Sequence, residues 1–172
     1  QAEGRLLPGS RLTMTGRVSA SESKVHMLGQ KSDISVDLKE ASLTWIWRDD
    51  ALSGSAFLRL SEYGKLEGRF RLPVAARLPA TFDEKGILQA SLSGVVREKG
   101  ALTALFPGLI QESRGRLDLD LKLNGTWKEP HLTGDARLSK AGGYLPTAGI
   151  TLKDAGISAR FSDDAIFIDS ID

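Results

Sequence analysis

Asp118 and Asp120 stand two residues apart with Arg116 and Lys122 on either side. Two carboxylates that close are the raw material of general acid–base chemistry. In an extended chain, however, residues i and i+2 point the same way, and an Arg-Asp-Asp-Lys row reads as a solvated outer face in which opposite charges neighbour one another. His26 and His131 are the two histidines, and neither has a second ligand at zinc-like spacing. The chain has no cysteine, so thiolate metal sites and disulfides are excluded, while both a cytosolic and a periplasmic compartment remain open. No G-x-S-x-G, P-loop or G-x-G-x-x-G motif is present, and nothing supports an enzyme, a cofactor or a catalytic metal. Asn124-Gly125-Thr126 matches a glycosylation sequon, but Asn-Gly between alternating segments is first of all a turn signal.

The element that carries these residues is the run GRLDLDLKLNGTWKEPHLTGDARL, residues 115–138. Leu117, Leu119, Leu121 and Leu123 alternate with Arg116, Asp118, Asp120, Lys122 and Asn124. One edge of the extended chain is thus pure leucine and the other polar. After a polar stretch, 125–130, alternation resumes with Leu132, Gly134, Ala136 and Leu138 against Thr133, Asp135 and Arg137. This spacing predicts a β-hairpin that is apolar on one face.

The rest of the chain repeats the theme. Residues 1–10, with Gly4, Pro8 and Gly9, read as a loose lead-in. Alternation runs from Leu12 to Ala20, breaks at the polar stretch 21–24, returns at Ile34, Val36 and Leu38, and continues at Leu43, Trp45 and Trp47. After an Asp49-Asp50 turn come Leu52, Gly54, Ala56, Leu58 and Leu60, then Leu66, Gly68, Phe70 and Leu72. Pro73 and Pro79 bracket a segment, 74–78, suited to an edge or a connection. Leu88, Ala90, Leu92, Gly94 and Val96 form another alternating run. Leu102, Leu105, Phe106 and Leu109 then fall at helical spacing, predicting a short helix at about 98–106 within an insertion 98–110. Ile150 and Leu152, then Ala155, Ile157, Ala159 and Phe161, alternate again before an Asp163-Asp164 turn and a last strand with Ile166 and Ile168.

Ten to twelve short strands separated by turn signals predict an all-β antiparallel meander, with 1–172 a single segment of a longer protein. Lysines and arginines number 23 against 22 acidic residues, interspersed and without a basic run, so nucleic acid is excluded as the expected partner. An apolar residue two before a glycine recurs, as in Leu66-x-Gly68 and Leu92-x-Gly94. A glycine in mid-strand on an apolar face signals curvature or a need for room.

A one-sided sheet can bury its apolar face against a second sheet, by closing into a barrel, or by holding an apolar ligand. The inward set is mostly aliphatic, and the chain carries only three Trp, two Tyr and six Phe to anchor a closed core. Ten strands side by side at about 4.8 Å would span about 50 Å, long enough for an acyl chain if the sheet folded into a trough. On the alternation, the residues expected to line such a groove are Leu58, Leu66, Phe70 and Leu92 in the first half. In the second half they are Leu117, Leu119, Leu121, Leu123, Leu132 and Leu138, followed by Ile150, Leu152, Ile157 and Phe161.

The run from Gly115 through Ile171 resembles the C-terminal region of the TamB family of AsmA-like bacterial envelope proteins. The features that carry the resemblance are the alternating leucines, Gly125-Thr126, Pro130-x-Leu132-x-Gly134, and Leu145-Pro146 leading to Gly149-Ile150. The segment ending in Phe106-Pro107 fits the same style, and the match covers residues about 98–172. The resemblance implies a curved sheet with an open hydrophobic groove, the β-taco, in a periplasmic protein anchored to the inner membrane through a segment outside this sequence. It further implies action with the outer-membrane barrel protein TamA in envelope assembly, and movement of phospholipid between membranes as in the wider bridge-like superfamily. It brings no catalytic residues. The expected ligand is therefore phospholipid or another apolar chain. The alternative is a chaperone or scaffold that takes nascent outer-membrane strands by β-augmentation at an open edge. A closed β-sandwich of purely structural role is the third possibility.

Overall fold

The computed structural model describes residues 2–7, 11–27, 34–99, 108–163 and 165–171. The chain is all-β. Among the described residues twelve strands follow one another: β1 (Ala2–Leu7), β2 (Arg11–Met27), β3 (Ile34–Arg48), β4 (Ala51–Leu60), β5 (Gly64–Leu72), β6 (Val74–Ala75), β7 (Thr81–Phe82), β8 (Gln89–Lys99), β9 (Gln111–Gly125), β10 (Pro130–Leu145), β11 (Ile150–Asp163) and β12 (Ala165–Ile171). Ten of them form one antiparallel sheet in the order β1-β2-β3-β4-β5-β8-β9-β10-β11-β12, open between β1 and β12. Strands that follow one another in this sheet are neighbours in it, as the antiparallel pairing of alternating runs dictates. The excursion 73–88, in which β6 and β7 pair with each other, stands between β5 and β8.

Several expectations are corrected. Residues 2–7 are a strand paired with residues 11–16 of β2, so the lead-in joins the sheet. The polar stretch 21–24 does not break its strand: Ser21 still pairs with Glu40 and Ser23 with Leu38, and the interruption is local, at Glu22, whose φ is 49°. The predicted helix begins with two residues, Glu98 and Lys99, that belong to β8. Its remainder, 100–106, lies outside the described residues.

At the end of the strands away from the excursion, non-glycine residues enter the left-handed region: Glu22 on β2, Glu112 on β9, Lys140 on β10 and Asp154 on β11, all with φ near 50°. Register shifts accompany them, between Ser139 and Gly142 against β9 and between Leu138 and Ala141 against β11. These are β-bulges, which add a residue to a strand and bend it. An extra residue also reverses the alternation. That reversal is why the apolar phase slips from Ile150 and Leu152 to Ala155 and Ile157 in the sequence.

An enclosed part lies at the opposite end. The excursion 73–88 runs along the strand ends there and is tied down on both sides. Ala76 N–H donates to Asp49 O (2.7 Å) and Leu12 N–H to Ala76 O (2.9 Å). Trp47 Nε1–H donates to Val74 O (2.9 Å), and Leu88 N–H donates to Gly125 O (2.8 Å). Ala51, Ala76 and Leu88, three of the four buried apolar residues among those described, are in or beside this segment, and the fourth is Leu38.

Candidate functional site: an aliphatic face without a covering layer

Cross-strand pairing stacks the apolar residues in rows that cross the sheet. One row reads Leu43, Ala56, Gly68, Leu92, Leu121, Gly134, Phe161 and Ile166. The next reads Leu58, Leu66, Gly94, Leu119, Ala136, Ala159 and Ile168. On one flank of these lie Phe70, Ala90, Leu123 and Leu132; on the other, Val96, Leu117, Leu138 and Ile157. Directly paired residues project from the same face of a sheet. All twelve of the sequence-predicted face residues in these rows, from Leu58 to Phe161, therefore share one surface. Beyond the bulges Leu152 pairs with Gly143 and Ile150 with Leu145, and the reversed alternation brings Ile150 and Leu152 to that surface as well.

Among the described residues no second layer lies over this surface. Among the described residues, extensive strand contacts are confined to sheet neighbours, with β4 against the short β6 as the exception. A closed sandwich is thereby replaced by a single sheet. The leucines are consequently only partly buried, with Leu92 38% and Ile157 39% exposed, and no described side chain is fully enclosed. The accessible surface of the chain is 11723 Å², whereas a compact protein of 18.6 kDa would show about 8,200 Å².

The glycines on the face serve different ends. A Cβ at Gly16 would collide with the indole of Trp45, and one at Gly54 would strike the backbone carbonyl of Thr44 and meet Phe70 Cζ at 2.6 Å. Here glycine makes room for an aromatic ring from the neighbouring strand to lie across it. Gly134 has φ 123° and its missing Cβ would strike Asp120 O, so the backbone itself requires glycine. Gly68 is different: the nearest atom to a Cβ there is Ser91 O at 3.4 Å, and the position is an unfilled notch between Ala56 and Leu92.

The opposite face is charged. A twisted sheet is saddle-shaped, hollow along one diagonal on each side. On the polar side a hollow of about 880 Å³ is lined by Lys65, Glu67, Ser93, Arg116, Asp118, Asp135 and Arg137 among others. Arg116 grips Asp118 with Nε at 2.8 Å and an Nη at 2.7 Å. The hydrogen bond from Arg116 lowers the Asp118 carboxyl below its ordinary range, and Asp118 in turn raises the guanidinium. Asp120 pairs across the ladder with Asp135, whose carboxylate stands 4.0 Å from Arg160. The two aspartates singled out by sequence are thus parts of a solvated charge lattice. His131 Nδ1 lies 3.4 Å from Asp163 on an exposed edge, and the side chain of His26 lies outside the described residues. Among the described residues no group of three or more metal-ligating side chains converges, and no helix is long and apolar enough to cross a membrane.

Sequence reading missed the strand-end platform formed by residues 73–88 and the β9–β10 turn. There the rings of Phe82 and Trp127 meet edge-on with centroids 5.6 Å apart, and Lys128 pairs with Glu84 at 3.1 Å. The Pro73 and Pro79 punctuation marked the segment as a connection, but its partners are far away in sequence and no local signal names them. No protein-family model, curated protein or solved structure matches this chain, so the functional reading rests on the geometry of the sheet.

Proposed function

We propose that the protein is a non-enzymatic lipid-handling segment whose aliphatic face shields the acyl chains of phospholipids. The observation that carries the reading is the rows of leucine, isoleucine and phenylalanine aligned across the sheet, half-exposed and, among the described residues, without a covering layer. Contiguous apolar surface of that extent is costly in water and marks a binding surface. Lipid tails suit it because the face is aliphatic, broad and poor in polar atoms that would select a shaped ligand. With the TamB-like features of residues 115–171, the process served is passage of phospholipid between inner and outer membrane in the periplasm. The parent protein would then be anchored in the inner membrane and partnered with TamA in outer-membrane assembly.

Leu119→Asp and Leu121→Asp test this. In a closed core an unpaired buried charge costs several kcal/mol. On an open face the expected cost is no more than about 2 kcal/mol, so circular dichroism should report a folded protein, while phospholipid extracted from the purified variant should fall to background. Unfolding of both variants, or undiminished lipid, overturns the reading. Photo-crosslinking from Leu119 and Ile157 separates ligands: lipid adducts support the proposal, and polypeptide adducts support the strand-accepting chaperone instead.

A further inference from the structure

The platform at the strand ends exposes large apolar side chains of its own. Leu78 is 75% exposed, Ile87 65%, Trp127 64% and Phe82 42%. These side chains do not belong to a loose loop. Their segment is fixed beneath by Ala76 and Leu88, both buried, by the backbone hydrogen bonds to Asp49, Leu12 and Gly125, and by the Phe82–Trp127 ring contact. Several of the charges around them have local partners. Lys128 pairs with Glu84, the Arg77 guanidinium donates to Thr81 Oγ1 at 2.9 Å, and Asp83 Oδ1 accepts from the Lys85 backbone N–H at 3.0 Å. Arg77, Lys85 and Lys128 stand against Asp83, Glu84 and Glu129, so the platform has no net charge.

We propose that this platform is a bilayer-contact surface that seats the strand ends on zwitterionic phospholipid. Exposed apolar tips that include Trp and Phe, on a segment with no net charge, fit the headgroup–acyl boundary, which accepts such side chains without a complementary pocket. A protein partner would instead favour a recess or a charge pattern, and the platform offers neither. It also adjoins the aliphatic face: Trp47, whose indole is hydrogen-bonded to Val74 O, pairs with Leu52, and Leu52 pairs with Leu72. The inference rests on the lipid-handling reading only in assigning the contact a purpose, namely transfer of a tail from bilayer to face.

The test is flotation of the 172-residue chain with phosphatidylcholine vesicles. The wild type should float, and the double variant Leu78→Asp/Ile87→Asp should lose partitioning by at least about tenfold with an unchanged melting temperature, since both side chains are largely solvated already. Brominated phospholipid should quench part of the wild-type tryptophan emission, and Trp127→Phe should remove that part. Leu119→Asp serves as the separating control: it should keep flotation and lose copurifying phospholipid. A wild type that does not float, or a double variant that floats equally well, overturns the platform proposal. Lipid retained by Leu119→Asp would count against the aliphatic face instead and leave the flotation result standing.

Discussion

At the scale of single residues, the glycines of the apolar face divide into those that the backbone needs and those that leave space. Gly134 sits at φ 123° against the carbonyl of Asp120, so Gly134→Ala forces both a left-handed alanine and a clash. The expected loss is about 1–3 kcal/mol, seen as a lower urea midpoint. Gly68 has an ordinary backbone and open surroundings, so Gly68→Ala should hold stability or raise it by up to about 1 kcal/mol through the unfolded chain. Equal destabilisation by the two substitutions would refute the distinction. The sequence showed that these glycines lie on the apolar edge and that they mean curvature or room. It does not separate the two meanings, because that depends on whether Trp45, Phe70 or a carbonyl of the adjacent strand occupies the space, and pairing register is not written locally.

At the scale of elements, period-2 alternation was legible over much of the long strands, because a sheet with one apolar and one polar face makes the two residue types alternate, but it was lost within β2 at 21–24. The hairpin of β9 and β10 appears where Leu117–Leu123 and Leu132–Leu138 placed it, in register through Leu123 opposite Leu132 and Leu117 opposite Leu138. The strand β1 escaped notice because Gly4 interrupts its pattern, and the bulges escaped because a one-residue slip looks like the end of a strand. The bulges are open to a direct test. Lys140 holds φ 52° at the register shift between β10 and its neighbours. Left-handed conformation costs an L-residue about 1–2 kcal/mol, a cost glycine avoids and a β-branched residue increases. Lys140→Gly should therefore be neutral or stabilising in urea denaturation, and Lys140→Val should destabilise by about 1–2 kcal/mol. The opposite order would mean that this strand is not bulged at Lys140.

At the scale of the molecule, the fold is a ladder in which each strand leans on its sheet neighbours, and among the described residues no second layer adds to its stability. The unfolded chain of 18.6 kDa exposes about 27,000 Å². Folding to 11723 Å² removes about 15,000 Å² from water, where a compact protein of this mass would remove about 19,000 Å². Because the denaturant slope m scales with the surface uncovered on unfolding, lipid-free protein should unfold in urea with an m about one fifth below that of compact domains of equal length. Apolar ligand bound to the face of the folded sheet and not to the unfolded chain should raise the midpoint in proportion to the logarithm of its concentration. A slope at the compact-domain value with no response to phospholipid would mean that the leucine rows are covered in solution, and the transport reading would fall with the open face on which it stands.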